Sequence, residues 1–358
     1  RGGKGVTRYT RSMRAFKPHL EGLAVYPYRK VEARVKLDQN ESPFDLPEDL
    51  KRRALERMEG LAWNRYPSLD AQEVRQALAR RWDWPPEGVV VAPGSNLLIQ
   101  ALVQAARRVL DTLPSFPHYA HAARLAGTPY QAVLLRPEGE GFALDLEALL
   151  LQFTEGVLFL ANPHAPTGSL FPQEAVLALA ERAQEVGGLL VVDEAYREFA
   201  GVDHLFLARK NPHVALLRTF SKAWSLGGVR AGYLLASPKV AGTVQNLLPP
   251  FVLPVHTQAI LLTVLEDSLY VEEVVRHVEK ERERLYQALK SHPFWLPFRS
   301  HTNFLLVRTP DAEAAFRKLL AHGVLVRRQD HYPLLSGAIR VTVGKAEENR
   351  AFLEAAYA

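Results

Sequence analysis

Lys222 is the residue whose type and position could do the most chemistry. Val214, Ala215, Leu216 and Leu217 form a short apolar run of the kind a strand buried on both faces shows, and Ser221 and Lys222 follow it in a turn. Such a turn lies at a strand's carboxyl end, where open parallel sheets bind ligands, so an amine there meets a cofactor instead of bulk water. A primary amine so placed can form a covalent link to a carbonyl and afterwards carry a proton. Alone, a lysine after a strand is ordinarily a solvated surface residue. Three other segments change that reading. GGLLVVDEAY (187–196) is a second apolar strand, ending in Asp193 with Tyr196 close behind, and VLFLANPHAPTG (157–168) is a third, running into a Pro/Gly-rich turn. GVVVAPGSN (88–96) is a fourth, entering a glycine turn ahead of a helical pattern over 97–109.

These strand ends need a scaffold, and the chain supplies an alternation of strand and helix. From Pro47 the pattern is helical, and LDAQEVRQALARRW places Leu69, Val74 and Leu78 on one face behind an aspartate at the expected N-terminus. Strand-like and helix-like segments then alternate through DEAY, the rhythm of an α/β domain with a mostly parallel sheet. After about Leu253 a long amphipathic helix, VEEVVRHVEKERERLYQALK, leads into strands NFLLVRT, VLVRR and GAIRVTVG and helices DAEAAFRKLLAHG and EENRAFLEAAY, a small second α/β unit. The expected organisation is a disordered basic tail (1–12), an arm of little periodicity (13–50), a large cofactor domain (51–253) and a small C-terminal domain (254–358).

The segments SPF at Ser42, ANPHAPTG, DEAY, TFSKAW and GVRAGY, in that order, resemble the fold-type I aminotransferases that use pyridoxal phosphate, and more narrowly the histidinol-phosphate aminotransferase family. The resemblance covers nearly the whole chain after Met13. It implies a homodimer with shared active sites, transamination between L-histidinol phosphate and 2-oxoglutarate, and a role in histidine biosynthesis. It makes Lys222 the lysine that holds the cofactor and shuttles the proton, Asp193 the partner of the ring nitrogen, and Tyr196 a donor to the ring hydroxyl. Ser95 and Asn96 at a helix N-terminus, with Thr219, Ser221 and Arg230, would receive the cofactor phosphate. Tyr66 would reach that phosphate from the other subunit. Phe116 would stack on the ring, with Tyr119 as the neighbouring alternative. Arg327 and Arg340 would take the substrate phosphate or the carboxylate of glutamate, Arg328 replacing Arg327 if the register slips. The arm would cover the site, bringing Tyr28 and Asn40 toward the substrate.

Two departures fall in the site, the first being Asn96 and Leu97 where the family often has an acidic residue after the glycine turn. The family asparagine before the Pro-Thr-Gly turn is Ala165 here, a lost donor unless His164 or a water substitutes. That leaves room for an aromatic or broad-specificity aminotransferase, for a threonine-phosphate decarboxylase, or for a silent cofactor-binding relative. Composition narrows the rest. With 358 residues, 47% of them hydrophobic, the chain can bury a large core, and a net charge of +5 without a basic block argues against nucleic acid. There are no cysteines, so disulfides and thiolate chemistry are excluded, and no apolar run is long enough to span a bilayer. Cytoplasm is the expected compartment. His118 and His121 lack a carboxylate or cysteine partner at ligand spacing, and no metal site is expected.

Overall fold

The structure is a computed structural model and describes residues 14–24, 26 and 28–358. The expected tail at 1–12 lies outside the described residues. The centre is a seven-stranded sheet in which Val89–Ala92, Gly232–Leu235, Val214–Thr219, Leu189–Asp193, Val157–Ala161, Val109–Leu113 and Tyr130–Leu134 lie side by side in that order. Gly232–Leu235 runs antiparallel to both its neighbours, and the other pairs are parallel. Both faces are covered, and side chains alternate between them as the two-residue period of a strand requires. Leu158, Leu160, Val192, Leu216 and Tyr233 enter one core, while Val157, Phe159, Val191, Leu217 and Leu234 enter the other.

Two helices differ from the sequence expectation, one at its start and one at its end. Asp70 does not cap the helix Gln72–Trp82: it pairs with Arg75, and Ser68 Oγ accepts the Gln72 amide at 3.0 Å. The helix after the glycine turn spans Ser95–Ala105, ending before the strand that starts at Val109. Beyond Leu253 the first element is Val255–Glu266, a helix packed against Glu48–Glu59 and Gln72–Trp82, and only then comes the amphipathic Leu269–Lys290. The apolar residues of Val255–Glu266 are spread around the whole helix, so it lacks the one-sided stripe that announces a surface helix.

A second sheet is antiparallel throughout, in the order Leu296–Pro297, Phe304–Arg308, Ala338–Thr342, Arg327–Arg328. The arm is tied to this unit through a separate two-stranded sheet and through the ends of its central strands. Val35–Lys36 pairs in parallel with Val324–Leu325, Leu37 O accepts the Thr342 amide at 3.0 Å, and Asn303 Nδ2 donates to Asn40 O at 2.8 Å. Residues 38–42 are thereby carried from the second sheet toward the turn that holds Lys222.

Candidate active site

Sheet register explains why distant residues converge. Gly232 is opposite both Ala92 and Thr219, so the segment leading into it, which carries Arg230, sits between the ends of two other strands. Ser95 opens its helix just past Ala92, and Thr219 Oγ1 accepts the Ser221 amide at 3.0 Å. Arg230 Nη1 donates to Gly227 O at 3.0 Å and approaches Ser221 Oγ at 3.4 Å. Close packing holds these pieces together. A Cβ on Gly94, whose φ is +89°, would stand 2.6 Å from Arg230 Nη2, and one on Gly232 would stand 2.6 Å from the Ser95 amide nitrogen. Amides at a helix start, two hydroxyls and a guanidinium form a cradle for a dianion.

Asp193 ends its strand in the core, 6% exposed. Its Oδ1 accepts the Ala195 amide at 3.1 Å and its Oδ2 accepts the Tyr119 hydroxyl at 2.5 Å. Burial pushes this carboxyl up to about 6, and the hydrogen bonds from Tyr119 and Ala195 oppose the rise. Lys222 Nζ donates to Gln39 O at 3.1 Å and lies 5.8 Å from the centre of the Tyr196 ring. Burial first, and the positive charge of Arg340 second, bring its ammonium down to about 7. A lysine so placed is substantially a free amine near neutrality, the form that attacks carbonyls and accepts protons.

Tyr196 is buried, and its oxygen accepts Asn40 Nδ2 at 3.0 Å. Asn40 is itself locked, with φ of +54°, its amide on Thr342 Oγ1 at 2.9 Å and its Oδ1 accepting the Thr342 hydroxyl at 3.1 Å. The structure therefore turns the Asn40 side chain to Tyr196. Tyr28 is exposed and donates to Gln39 Oε1 at 3.2 Å, one residue link from the lysine. Phe116 is half-buried and meets the Tyr119 ring edge-on at 5.5 Å, while Tyr119 stacks on Phe159 at 4.7 Å inside the core. Of the two aromatics, Phe116 is the less buried.

Arg327 and Arg340 face each other across an antiparallel pair. Arg340 Nη2 donates to Asp38 O at 2.8 Å, while its buried Nε has no partner among the described residues. Arg328 forks onto Asp330 at 3.0 and 2.8 Å, so its guanidinium is engaged locally. Ala165 is buried, and His164 does not replace the missing donor. Its ring nitrogens contact Thr112 Oγ1 at 3.1 Å and Thr167 Oγ1 at 2.7 Å, and burial brings the imidazole down to about 3, hence neutral. Tyr66 is 84% exposed and stacked on Phe251 at 5.0 Å. The links Tyr119 to Asp193, Asn40 to Tyr196 and Gln39 to Lys222 leave no mark in residue type or spacing, except that Tyr119 stands three residues after Phe116.

An acid, a lysine with a near-neutral amine, a phenol and an anion cradle together fit pyridoxal phosphate. The fold and site define a pyridoxal-phosphate-dependent aminotransferase. The chain belongs to the aminotransferase class I and II family, whose model matches residues 32–355. It is 43% identical over 339 residues to the histidinol-phosphate aminotransferase of Deinococcus radiodurans, covering 93% of each chain, and 40% identical over 337 residues to that of Thermococcus kodakarensis, covering 93% of this chain and 95% of the other. Among solved structures, the Sinorhizobium meliloti histidinol-phosphate aminotransferase in complex with pyridoxal-5'-phosphate superposes with a TM-score of 0.84 at 25% identity, covering 96% of this chain and 97% of that one.

Proposed function

We propose that this chain transfers an amino group between L-histidinol phosphate and 2-oxoglutarate, a step of histidine biosynthesis. Identity of 43% along 93% of the chain to a relative of that name supports the reading most directly. Pyridoxal phosphate, when bound, supplies the electron sink that lets a C–H bond beside nitrogen be broken. The residues divide the remaining work. Ser95, Asn96, Thr219, Ser221 and Arg230 hold the cofactor phosphate, Phe116 covers the ring, and Asp193 keeps the ring nitrogen charged. Tyr196, steadied by Asn40, serves the ring hydroxyl. Lys222 Nζ takes the proton from the substrate carbon and returns it on the other side of the exchange. Arg340 and Arg327 receive an anion, and one guanidinium pair serves phosphate or carboxylate with similar geometry.

A homodimer is part of the proposal. Tyr66, Trp63, Leu61, Leu69 and Phe251 are all exposed, with Trp63 against His256 at 4.9 Å and Tyr66 against Phe251. An apolar surface of this kind suits a second copy, to whose cradle Tyr66 would reach.

The test is a comparison of kcat/KM for L-histidinol phosphate, phenylalanine and threonine phosphate with 2-oxoglutarate as acceptor, alongside Lys222→Ala and sedimentation of the wild type. Preference for histidinol phosphate by tenfold or more, loss of turnover in Lys222→Ala and a dimer mass support the reading. Preference for phenylalanine replaces the substrate, carbon dioxide release from threonine phosphate replaces the reaction class, and a monomer with full activity removes the shared site.

A further inference from the structure

We propose that Tyr119 is a positioning residue for the cofactor: its hydroxyl, hydrogen-bonded to Asp193, keeps that carboxylate ionised and aimed so that the shared proton stays on the ring nitrogen. The proposal rests on Asp193 being the acid beneath that nitrogen. Tyr119 is fully buried on the helix Pro117–Ala126, with its ring stacked on Phe159 at an interplanar angle of 14°. The hydroxyl at the far end of the ring donates to Asp193 Oδ2 at 2.5 Å. Oδ1 is held by the Ala195 amide, so the carboxylate is fixed from both sides and each oxygen keeps a lone pair for one further donor.

The arrangement is a one-way donor. Burial, then the charge of Asp193, raises Tyr119 well above the ordinary phenol range, so its proton stays on oxygen at every working pH. Opposing influences on the carboxylate come from several elements. Burial and the neighbouring Glu194 favour the protonated acid, and Lys222 favours the ionised one. Asp111 and Tyr196 also act on the Tyr119 hydroxyl. Without the hydroxyl, the carboxylate becomes more basic and one proton moves from ring nitrogen to carboxyl oxygen, with no other bond changed. The ring then loses positive charge and with it part of its capacity to accept electrons. The same tyrosine touches Phe116 edge-on, so one side chain braces both the ring's acid and the aromatic beside it.

The experiment uses the holoenzyme reconstituted with pyridoxal phosphate labelled with nitrogen-15 in the ring. In wild type the ring resonance lies in the pyridinium range. In Tyr119→Phe, which keeps the ring and both ring contacts, it moves toward the pyridine range and kcat falls about tenfold at unchanged KM, the effect of one hydrogen bond to a charged group. Phe159→Leu, which loosens the packing but keeps the hydroxyl, lowers the melting temperature and leaves the resonance in place. A Tyr119→Phe resonance indistinguishable from wild type overturns the proposal, as does an equal shift in Phe159→Leu. A wild-type resonance that titrates like free pyridoxal phosphate overturns instead the placement of Asp193.

Discussion

Arg340→Leu separates a residue kept for a ligand from one kept for the fold. The guanidinium is half-buried, its buried Nε has no partner among the described residues, and one nitrogen donates to Asp38 O. Burial, followed by the positive charge of Arg327, lowers its proton affinity, partly offset by Tyr196, Tyr332 and Asp38. On the proposed function, the substrate anion completes the partner set of this half-buried cation. Two charge-assisted hydrogen bonds to that anion, at about 1.5 kcal/mol each, contribute about 3 kcal/mol, roughly a 150-fold fall in kcat/KM when they are lost. The fold loses one hydrogen bond to a carbonyl, about 1 kcal/mol, and is relieved of a half-buried charge of comparable cost. The melting temperature should thus stay level or rise. The assay is kcat/KM for L-histidinol phosphate and for glutamate, beside a thermal melt of the cofactor-free protein. The amine released from Arg340's field also titrates higher, so the pH at which Lys222 reacts moves up. A variant that loses stability in step with activity refutes the reasoning, because it makes Arg340 a strut of the second sheet.

Glu194→Gln leaves Arg218, 1% exposed and lying 4.5 Å over Trp82, without its anionic partner; unfolding free energy should drop by about 3–5 kcal/mol, measured by urea denaturation. Asp111 accepts Thr112 N, Ser115 Oγ and Tyr130 OH, yet burial raises it to about 7 from 3.8. A folded value above the unfolded one gives stability that is present below about pH 4 and lost as pH rises through 7, at most about 4 kcal/mol; Asp111→Asn should flatten that loss in urea titrations run from pH 5 to 8. Gly232→Ala forces a methyl to 2.6 Å from the Ser95 amide nitrogen and 3.0 Å from Arg218 O, so pyridoxal phosphate affinity should fall at least tenfold in equilibrium dialysis, with a stability loss of about 1–3 kcal/mol.

Lys222, Asp193 and the Ser95 turn were legible because each follows an apolar strand, and a strand end is a local pattern. The mostly parallel sheet followed from the same alternation, its antiparallel member Gly232–Leu235 excepted, since direction leaves no mark in the burial period of a short strand. What could not be read are contacts made across the chain. Asn40 meets Tyr196 across 156 residues, Lys222 meets Gln39 across 183, and Tyr119 meets Asp193 across 74. The arm's strand, Val35–Lys36, is too short to carry any period, so it read as loop. Val255–Glu266 is buried against two helices and lacks a polar face, which hid it beside the strongly amphipathic Leu269–Lys290. The fork of Arg328 onto Asp330 is likewise a matter of side-chain geometry that residue spacing does not show.

The most direct test of the central claim is a single turnover of the holoenzyme with L-histidinol phosphate and no acceptor, followed by the cofactor's visible absorbance and by product analysis. Transfer from this donor predicts loss of the visible band with one equivalent of the keto phosphate, and its return on adding 2-oxoglutarate with one equivalent of glutamate. A band that histidinol phosphate leaves unchanged while another amine discharges it contradicts the account.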